Sequence, residues 1–165
     1  MKTKGLASCL IGSALLLGTH GAHADPTEVT DQRGKTFTLD EPAESVVIIS
    51  KPIPKMYIAI DGTADHIDGM HPATSAVMEN SLMGEIFPSI SDIPTNIVTE
   101  GFVPNVEELL KIGPDAVIQW DMEGMVEPME RVGLNVAVLR WGTREIEQGH
   151  VRVVGEISGN QEAAQ

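Results

Sequence analysis

The sequence has 165 residues, a formal net charge of −13 at pH 7, and a composition that is 42% hydrophobic and 4% aromatic. A chain this acidic is a poor ligand for nucleic acids or anionic membranes, so nucleic-acid binding is not expected. The single cysteine, Cys9, excludes an internal disulfide, and its position near the start leaves residues 25–165 without any thiol for catalysis or metal binding.

The first 24 residues have the pattern of a secretory signal peptide. A basic start with two lysines precedes the apolar stretch 6–18, and Ala22 and Ala24 stand where a signal peptidase reads small residues. We therefore expect export to the periplasm, cleavage after Ala24, and a change in net charge from −13 to −15 as the two lysines leave. A lipid anchor at Cys9 is less favoured, because too few residues precede it to hold an apolar segment.

After the signal peptide, short strands and helices are predicted in alternation. The segments Thr27–Thr30 and 35–39 predict a hairpin around Gly34, since glycine favours the positive φ of a tight turn. The apolar stretch 45–50 predicts a buried strand. The next predicted elements are a helix at 55–60 that ends at Gly62, a strand at 66–70, a helix at 73–87 with Met78, Leu82 and Ile86 on one face, and an irregular stretch at 88–99.

The stretch 105–120, NVEELLKIGPDAVIQW, predicts a helix, a tight turn and a strand. Asn105 suits a helix cap that accepts from the amide three residues on, and Glu108 stands at the position of a capping-box partner. Gly113 fits the left-handed end of this helix. The apolar run 116–118 does not alternate with polar residues, as is typical of a strand covered on both faces.

Three elements complete the pattern and define the expected fold. They are a helix containing Met125, Met129 and Val132 with Pro128 in its first turn, a strand at 135–141, and a helix over 146–157 that stops at Gly159. Strands separated by helices of this length predict an α/β fold, with a doubly wound, mostly parallel sheet and an N-terminal β-hairpin. Residues 25–165 are long enough to form one domain with its own core.

The predicted strand ends indicate where a ligand would bind, because ligands of doubly wound sheets bind beyond the carboxyl ends of the strands. Lys51 or Arg140 would contact an anionic ligand there, and Trp120, Trp141 or Tyr57 would pack on its apolar parts. Each has an ordinary alternative: Lys51 solvated, Arg140 paired with surface acids, and Tyr57 in the core. Candidates at the four strand-to-helix junctions are Ser50, Lys51, His71, Trp120, Arg140 and Trp141.

The order of motifs closely resembles the N-terminal lobe of periplasmic substrate-binding proteins of ABC importers for ferric siderophores, haem and cobalamin. The resemblance covers about residues 28–165 and rests on VVIIS, HIDGM, GFVPNVEELLKIGPDAVIQW, LNVAVLRW and VVGEISGNQEAA in that order. Members of that family have two lobes joined by a long helix and about twice this length. The resemblance therefore implies that residues 25–159 form one lobe and that 160–165 begin the connecting helix.

The resemblance also implies a function. It indicates a monomeric, non-enzymatic solute-binding component that captures an iron chelate, either a siderophore or haem, and delivers it to an ABC permease in the inner membrane. No intrinsic cofactor is expected, since the chelate is the cargo. With Phe102 of the GFVPN stretch, the ligand-binding candidates are Ser50, Lys51, Tyr57, His71, Phe102, Trp120, Arg140 and Trp141.

Glu107 is the expected contact with the permease, because the glutamate of the N-x-E stretch serves that role in the family. The alternative is that Glu107 only complements the helix dipole, an effect of about 0.3–1 kcal/mol.

Other functions stay open at this point. The stretch 71–88 favours an iron chelate over cobalamin, but cobalamin, a molybdate-type oxyanion or a bare metal ion are alternatives, as is a stand-alone exported α/β protein. His66, His71 and His150 are not spaced as a compact metal site. The sequence contains no nucleophile elbow, phosphate-binding loop or His-Glu-x-x-His motif, so no catalytic residue is predicted.

Overall fold

The computed structural model of the protein describes residues 26–165, so the predicted signal peptide lies outside the described residues. Across this part of the chain, none of the helices combines the length and apolarity that a membrane crossing requires. The elements in chain order are β1 Thr27–Thr30, β2 Thr36–Leu39, β3 Val46–Ile48, α1 Ile53–Asp61, β4 Ile67–Met70, α2 Pro72–Glu79, α3 Leu82–Ile86, a 3-10 helix Pro88–Asp92, α4 Val106–Ile112, β5 Ala116–Trp120, α5 Glu127–Arg131, β6 Val136–Leu139 and α6 Arg144–Ser158.

Four parallel strands form the central sheet in the order β4-β3-β5-β6, and β1 and β2 form a separate antiparallel hairpin. From β3 the chain first moves outward to β4, and it later continues on the other side through β5 and β6. The strand order therefore reverses between β3 and β5, the place where doubly wound sheets bind ligands. This topology confirms the predicted α/β fold, including the N-terminal hairpin.

Alternate residues of each strand face two separate apolar layers. Val46 and Ile48 point to the layer that contains Tyr57 and Val153, so α1 and α6 cover this face. Val47 and its alternate neighbours point to the other layer, which includes side chains of α4 and α5. All five residues of β5 are buried, as expected for a strand covered on both faces.

The single helix predicted for residues 73–87 is wrong, because two helices occupy this stretch. Ser81 begins the second helix: its Oγ accepts from Met83 N at 3.2 Å and donates to Met78 O at 2.8 Å. The break changes the direction of the chain, so Leu82 and Ile86 are exposed while Met78 is fully buried. The three side chains therefore do not form the apolar face that their spacing predicts.

The predicted capping of α4 is confirmed in part. Asn105 Oδ1 accepts from Glu108 N at 3.4 Å, and Gly113 ends the helix with a φ of 66°. The reciprocal capping-box bond does not form, because Asn105 N donates to Ile97 O at 2.9 Å and the Glu108 carboxylate pairs with Lys111 at 3.4 Å. The cap therefore also ties α4 to the preceding loop.

The N-terminal hairpin is attached to β6 through its turn. Gly34 has the predicted positive φ, 83°. The Asp31 carboxylate accepts from Arg33 N at 2.8 Å, Lys35 N at 3.0 Å and Val138 N at 3.3 Å. Gln32 N donates to Val138 O at 3.0 Å. The hairpin thus fixes the end of β6, where two of the site candidates follow.

Two smaller differences concern the C-terminal third of the chain. α5 is shorter than its pattern predicts: Met129 is buried in it, whereas Val132 lies beyond its end and is exposed. α6 ends at Gly159 as predicted, and residues 161–164 form turns. Their assignment to a connecting helix stays a prediction.

Candidate ligand-binding site

The carboxyl ends of the four parallel strands lie along one edge of the sheet, which we call the rim. Backbone hydrogen bonds continue from strand to strand here: Ser50 N donates to Ile118 O at 3.4 Å, and His71 N donates to Ile48 O at 3.3 Å. At the far end Asp121 N donates to Leu139 O at 2.7 Å. The four predicted strand-to-helix junctions are therefore neighbours in space.

Both tryptophans of the protein lie at the rim and stack on each other. Their ring centroids are 4.4 Å apart with an interplanar angle of 26°. Trp120 is only 2% exposed, whereas Trp141 is 56% exposed. His150 meets Trp120 edge-on at 5.6 Å, and its Nε2 donates to Arg140 O at 2.8 Å. Trp141 therefore presents an exposed ring at the rim, and the buried ring of Trp120 supports it.

His71 has no free ring nitrogen. Its Nδ1 accepts from Ala73 N at 3.1 Å as the cap of α2, so its Nε2 carries the proton and donates to Gly101 O at 2.9 Å. Burial and the charge of Lys51 lower the pKa of His71, against the raising effect of the Gly101 bond. In this arrangement the neutral imidazole organises the rim rather than coordinating a metal ion. Within residues 26–165, no group of three or more His, Cys, Asp or Glu side chains is placed to hold one.

Phe102 is held over His71 by a buried amide. The two ring centroids are 5.1 Å apart. Gln119, fully buried in β5, donates to Phe102 O at 3.0 Å and accepts from Trp120 N at 2.8 Å through its side chain. Lys51 places its Nζ 4.9 Å from the centroid of Phe102, within the range of a cation–π contact. The loop before α4 thus becomes part of the rim.

Arg140 forms an ion pair with Asp121, which also lies at the rim. Its Nε lies 2.6 Å from Asp121 Oδ2, and both side chains are partly exposed. The alternative weighed for Arg140, pairing with a surface acid, is the observed arrangement. A ligand anion that bound Arg140 would have to compete with Asp121.

Two of the candidates are buried beneath the rim. Tyr57 is fully buried because α1 begins at Ile53 and turns its ring into the layer beneath the sheet. Burial, followed by the charges of Asp61 and Asp115, raises the pKa of Tyr57. This placement corrects the expectation that Tyr57 packs on a ligand at the rim. Ser50 is also fully buried, and its Oγ has no hydrogen-bond partner among the described residues.

Two cavities open on either side of Pro52 at the rim. The first, about 410 Å³, is lined by Lys51, Lys55, Ala73, Thr74 and Val77, and we call it the lysine cavity. The second, about 280 Å³, is lined by Ile53, Met56, Trp120, Trp141, Glu147 and His150, and we call it the tryptophan cavity. Thr74 Oγ1 donates to Lys51 O at 2.9 Å, which fixes the wall between α1 and α2.

A further cavity of about 410 Å³ lies at the opposite edge of the sheet. Its lining is acidic and includes Asp40, Glu44 and Asp115. Asp115 Oδ2 already accepts from Glu44 N and Ser45 N, each at 3.0 Å. This carboxylate has a structural role at the amino end of β3, so the rim is the better candidate site.

Solved structures match most of the chain, whereas no protein-family model and no curated protein matches it. A periplasmic solute-binding protein from Veillonella parvula DSM 2008 has a TM-score of 0.79 at 28% identity, over 85% of this chain and 43% of its own. The chain has the fold of one lobe of such a protein. This finding confirms the resemblance that the order of motifs indicates.

Two more distant solute-binding proteins show the same fold. The haem-binding protein HmuT has a TM-score of 0.63 at 19% identity, over 95% of this chain and 48% of its own. MolA from Haemophilus influenzae, bound to molybdate, has a TM-score of 0.67 at 13% identity, over 83% of this chain and 48% of its own. The chain thus spans less than half the length of each of the three solute-binding proteins.

Glu107 is exposed on the surface of the lobe. Its side chain is 82% exposed in the first turn of α4, and it pairs with Lys111 at 3.0 Å. The pairing is an exposed contact between residues four apart on one helix, and solvent screens such a contact so that it contributes little to stability. A stronger cationic partner would therefore displace Lys111 easily.

Three residues of the rim were not predicted from the sequence. Gln119 had one available signal, a polar side chain inside an otherwise apolar strand. Lys55 lies one turn after Lys51 in the chain, but only the start of α1 at Ile53 places both at one cavity. Gln32 had no local signal, since it contacts the rim from the distant hairpin.

Proposed function

We propose that the chain is one lobe of an exported solute-binding protein that captures an iron chelate, either a siderophore or haem, in the periplasm and delivers it to an ABC permease. The observation that carries this proposal is the exposed face of Trp141, stacked on Trp120 beside the unpaired Lys51. This arrangement offers a flat apolar surface and a positive charge at the strand ends, where doubly wound sheets bind ligands.

Capture at this site needs no covalent chemistry. The ring of Trp141 contacts the apolar part of the chelate, because Trp120 and His150 hold it in a fixed orientation. Lys51, held over Phe102, attracts the anionic part. The structural neighbours are about twice as long, so the chain supplies one side of the site.

Delivery requires a contact with the permease, and Glu107 is the proposed one. Its carboxylate is exposed and held by one weak partner, so an arginine of the permease would replace Lys111 in a bidentate pair. MolA, one of the structural neighbours, is the cognate binding protein of an ABC transporter. The exposed acid and the fold support delivery to the same class of partner.

A second candidate ligand is a molybdate-type oxyanion. Lys51 and Lys55 line one cavity, and their ammonium groups suit an oxyanion as well as a chelate. The chain also shares its fold with molybdate-bound MolA, which supports molybdate as a candidate ligand. Molybdate would not contact the tryptophan cavity, however, so this candidate leaves the stacked rings without a role.

The test is a titration of the purified chain by intrinsic tryptophan fluorescence. Both tryptophans lie at the rim, so the whole signal comes from the site. We expect haemin or a ferric siderophore to quench the signal saturably in the micromolar range, about −8 kcal/mol, with cobalamin and molybdate giving no such effect. Trp141→Ala should weaken binding about tenfold, because one buried aromatic contact is removed.

A matched control keeps the test specific. Trp141→Phe retains an aromatic face at the same position and should bind close to the unmodified chain, while still reporting through Trp120. Saturable binding of molybdate alone would favour the oxyanion instead. A folded chain, verified by circular dichroism, that binds none of the four ligands would contradict the proposed function.

A further inference from the structure

His71 joins the start of α2 to the loop before α4, and both of its ring nitrogens take part. Nδ1 faces the backbone N–H of Ala73 at 3.1 Å, and Nε2 faces the backbone carbonyl of Gly101 at 2.9 Å. A backbone N–H only donates and a carbonyl only accepts, so these two bonds require a neutral imidazole with its proton on Nε2. The contact with Ala73 therefore exists only while Nδ1 keeps its lone pair.

Protonation would turn the Ala73 side of the ring from an acceptor into a second donor. The imidazolium carries N–H groups on both nitrogens, so Nδ1–H would meet the Ala73 N–H and this hydrogen bond would be lost. The bond from Nε2 to Gly101 O would remain, because a charged donor makes a stronger hydrogen bond. A single proton on His71 thus breaks the contact with α2 and keeps the contact with the loop.

The charges around the ring also oppose an imidazolium in the closed arrangement. The positive end of α2 disfavours a cation at its first turn. Lys51, just before α1, is the charged group that acts on the imidazole, and no carboxylate in the described part of the chain contributes an opposing effect. The loop presents the uncharged ring of Phe102, whose centroid lies 5.1 Å from that of His71, and β5 presents the neutral amide of Gln119 behind it.

The first turn of α2 forms a wall of the candidate site. Ala73 and Thr74 line the lysine cavity, and Thr74 Oγ1 donates to Lys51 O at 2.9 Å. Thr74 N and Ser75 N donate to the carbonyl of His71 itself, at 2.8 and 3.1 Å, so these bonds do not depend on its ring. Loss of the bond to Ala73 would therefore loosen this wall without unfolding α2.

We propose that His71 is a pH-sensitive latch: the neutral ring holds the first turn of α2 to the loop at Gly101, and protonation in mild acid releases that turn at Ala73. The rim then has two states, a closed one near neutral pH and one with a loosened wall in acid. This inference goes beyond the proposed function and does not depend on which ligand the rim binds.

The test follows individual amides by two-dimensional NMR of the purified, isotope-labelled chain between about pH 7.5 and 4.5. The ring signals of His71 report its protonation, and hydrogen exchange at the Ala73 amide reports the bond to Nδ1. Tryptophan fluorescence would not separate the effects, because His150 contacts Trp120 and adds its own titration. We expect the protection of Ala73, corrected for the intrinsic exchange rate, to fall roughly five- to tenfold. The midpoint of this fall should coincide with that of the His71 ring and lie below pH 6.5.

Two variants separate the latch from general effects of acid. His71→Asn keeps a capping side chain that accepts from Ala73 N and does not titrate, so the protection of Ala73 should become independent of pH. His66→Asn is the matched control, because it removes a histidine at the amino end of β4, where His66 pairs with Asp61 at 3.0 Å. This control should show the same fall at Ala73 as the unmodified chain.

The unmodified chain alone can overturn the inference. If Ala73 keeps its protection while the ring signals show that His71 is protonated, the ring is not a latch. If His71 stays neutral until the chain unfolds, the latch cannot operate and the inference is equally wrong. A fall in protection that persists in a folded His71→Asn chain would assign the opening to another group.

Discussion

Gln32 connects the N-terminal hairpin to both sides of Trp141, and its removal tests whether the hairpin shapes the site. Its Oε1 accepts from Arg140 N at 2.6 Å, and its Nε2 donates to Ile146 O at 2.6 Å. One amide thus bridges the residue before Trp141 and the first turn of α6. We predict that Gln32→Ala lowers stability and loosens the segment that carries Trp141.

The magnitude follows from the two lost hydrogen bonds. Each contributes a net of about 0.5–1.5 kcal/mol, and the half-buried position lets water replace part of the loss, so we expect about 1–2 kcal/mol. With a urea dependence near 2 kcal/mol per molar, the unfolding midpoint should fall by roughly 0.5–1 M. The backbone bond from Gln32 N to Val138 O does not involve the side chain and remains.

Urea unfolding followed by circular dichroism measures the first effect, and acrylamide quenching of tryptophan fluorescence measures the second. Because Trp120 is 2% exposed and Trp141 is 56% exposed, quenching reports mainly on Trp141 and should increase in the variant. Gln148→Ala is the matched control, since it makes the same chemical change at an exposed position of α6. If Gln32→Ala behaves like Gln148→Ala in both measurements, the proposed bridge has no role in holding the rim.

Three further predictions concern other parts of the molecule. Burial and the charge of Lys51 lower the pKa of His71 in the folded chain below its usual 6.5. The unfolded chain therefore binds more protons as the pH falls. His71 thus contributes stability that is fully present above pH 6.5 and is lost as the pH falls through the pKa of the folded chain. Between about pH 7.5 and 5.5 the unmodified chain should therefore lose more unfolding free energy than His71→Asn, and equal losses would contradict the assignment. In Gly69→Ala the new Cβ would lie 2.7 Å from Ile97 Cγ2, and thermal unfolding should show a loss of about 1–3 kcal/mol; an unchanged melting temperature would mean that Ile97 moves freely. Glu107→Arg should abolish transport by the complete system without changing chelate quenching, whereas Glu127→Arg, an exposed glutamate in the first turn of α5, should transport normally.

Local chemistry allowed much of the fold to be predicted. The hairpin with Gly34 at its turn, the buried strands and the helix from Asn105 to Gly113 depend on residues close in sequence, and all are found. The break between α2 and α3 was missed because Leu82 and Ile86 continue the apolar spacing. Ser81 explains the break, because its hydroxyl forms hydrogen bonds with Met78 O before it and with Met83 N after it. Serine also favours helix starts over helix interiors.

The sequence predicted which edge of the sheet carries the candidate site, but it did not predict which side chains are exposed there. Strand order places the four junctions together, which patterning and topology rules foresee. Which side chains reach the surface depends on where each helix begins: α1 starts early enough to bury Tyr57 and to bring Lys55 beside Lys51. The helix begins two residues before its predicted start, and Pro54 in its first turn is a local signal for that start.

Two side-chain amides, one buried and one half-buried, determine the geometry of the rim. Gln119 ties Phe102 to the end of β5, and Gln32 ties the hairpin to both ends of the Trp141 segment. Each satisfies backbone groups of a segment far away in the chain, so the loops of the candidate site are held at fixed distances. Pre-organised loops lose less conformational entropy on binding. A lobe built in this way presents one formed wall of a site, and its aromatic and cationic groups already stand apart, on the two sides of Pro52.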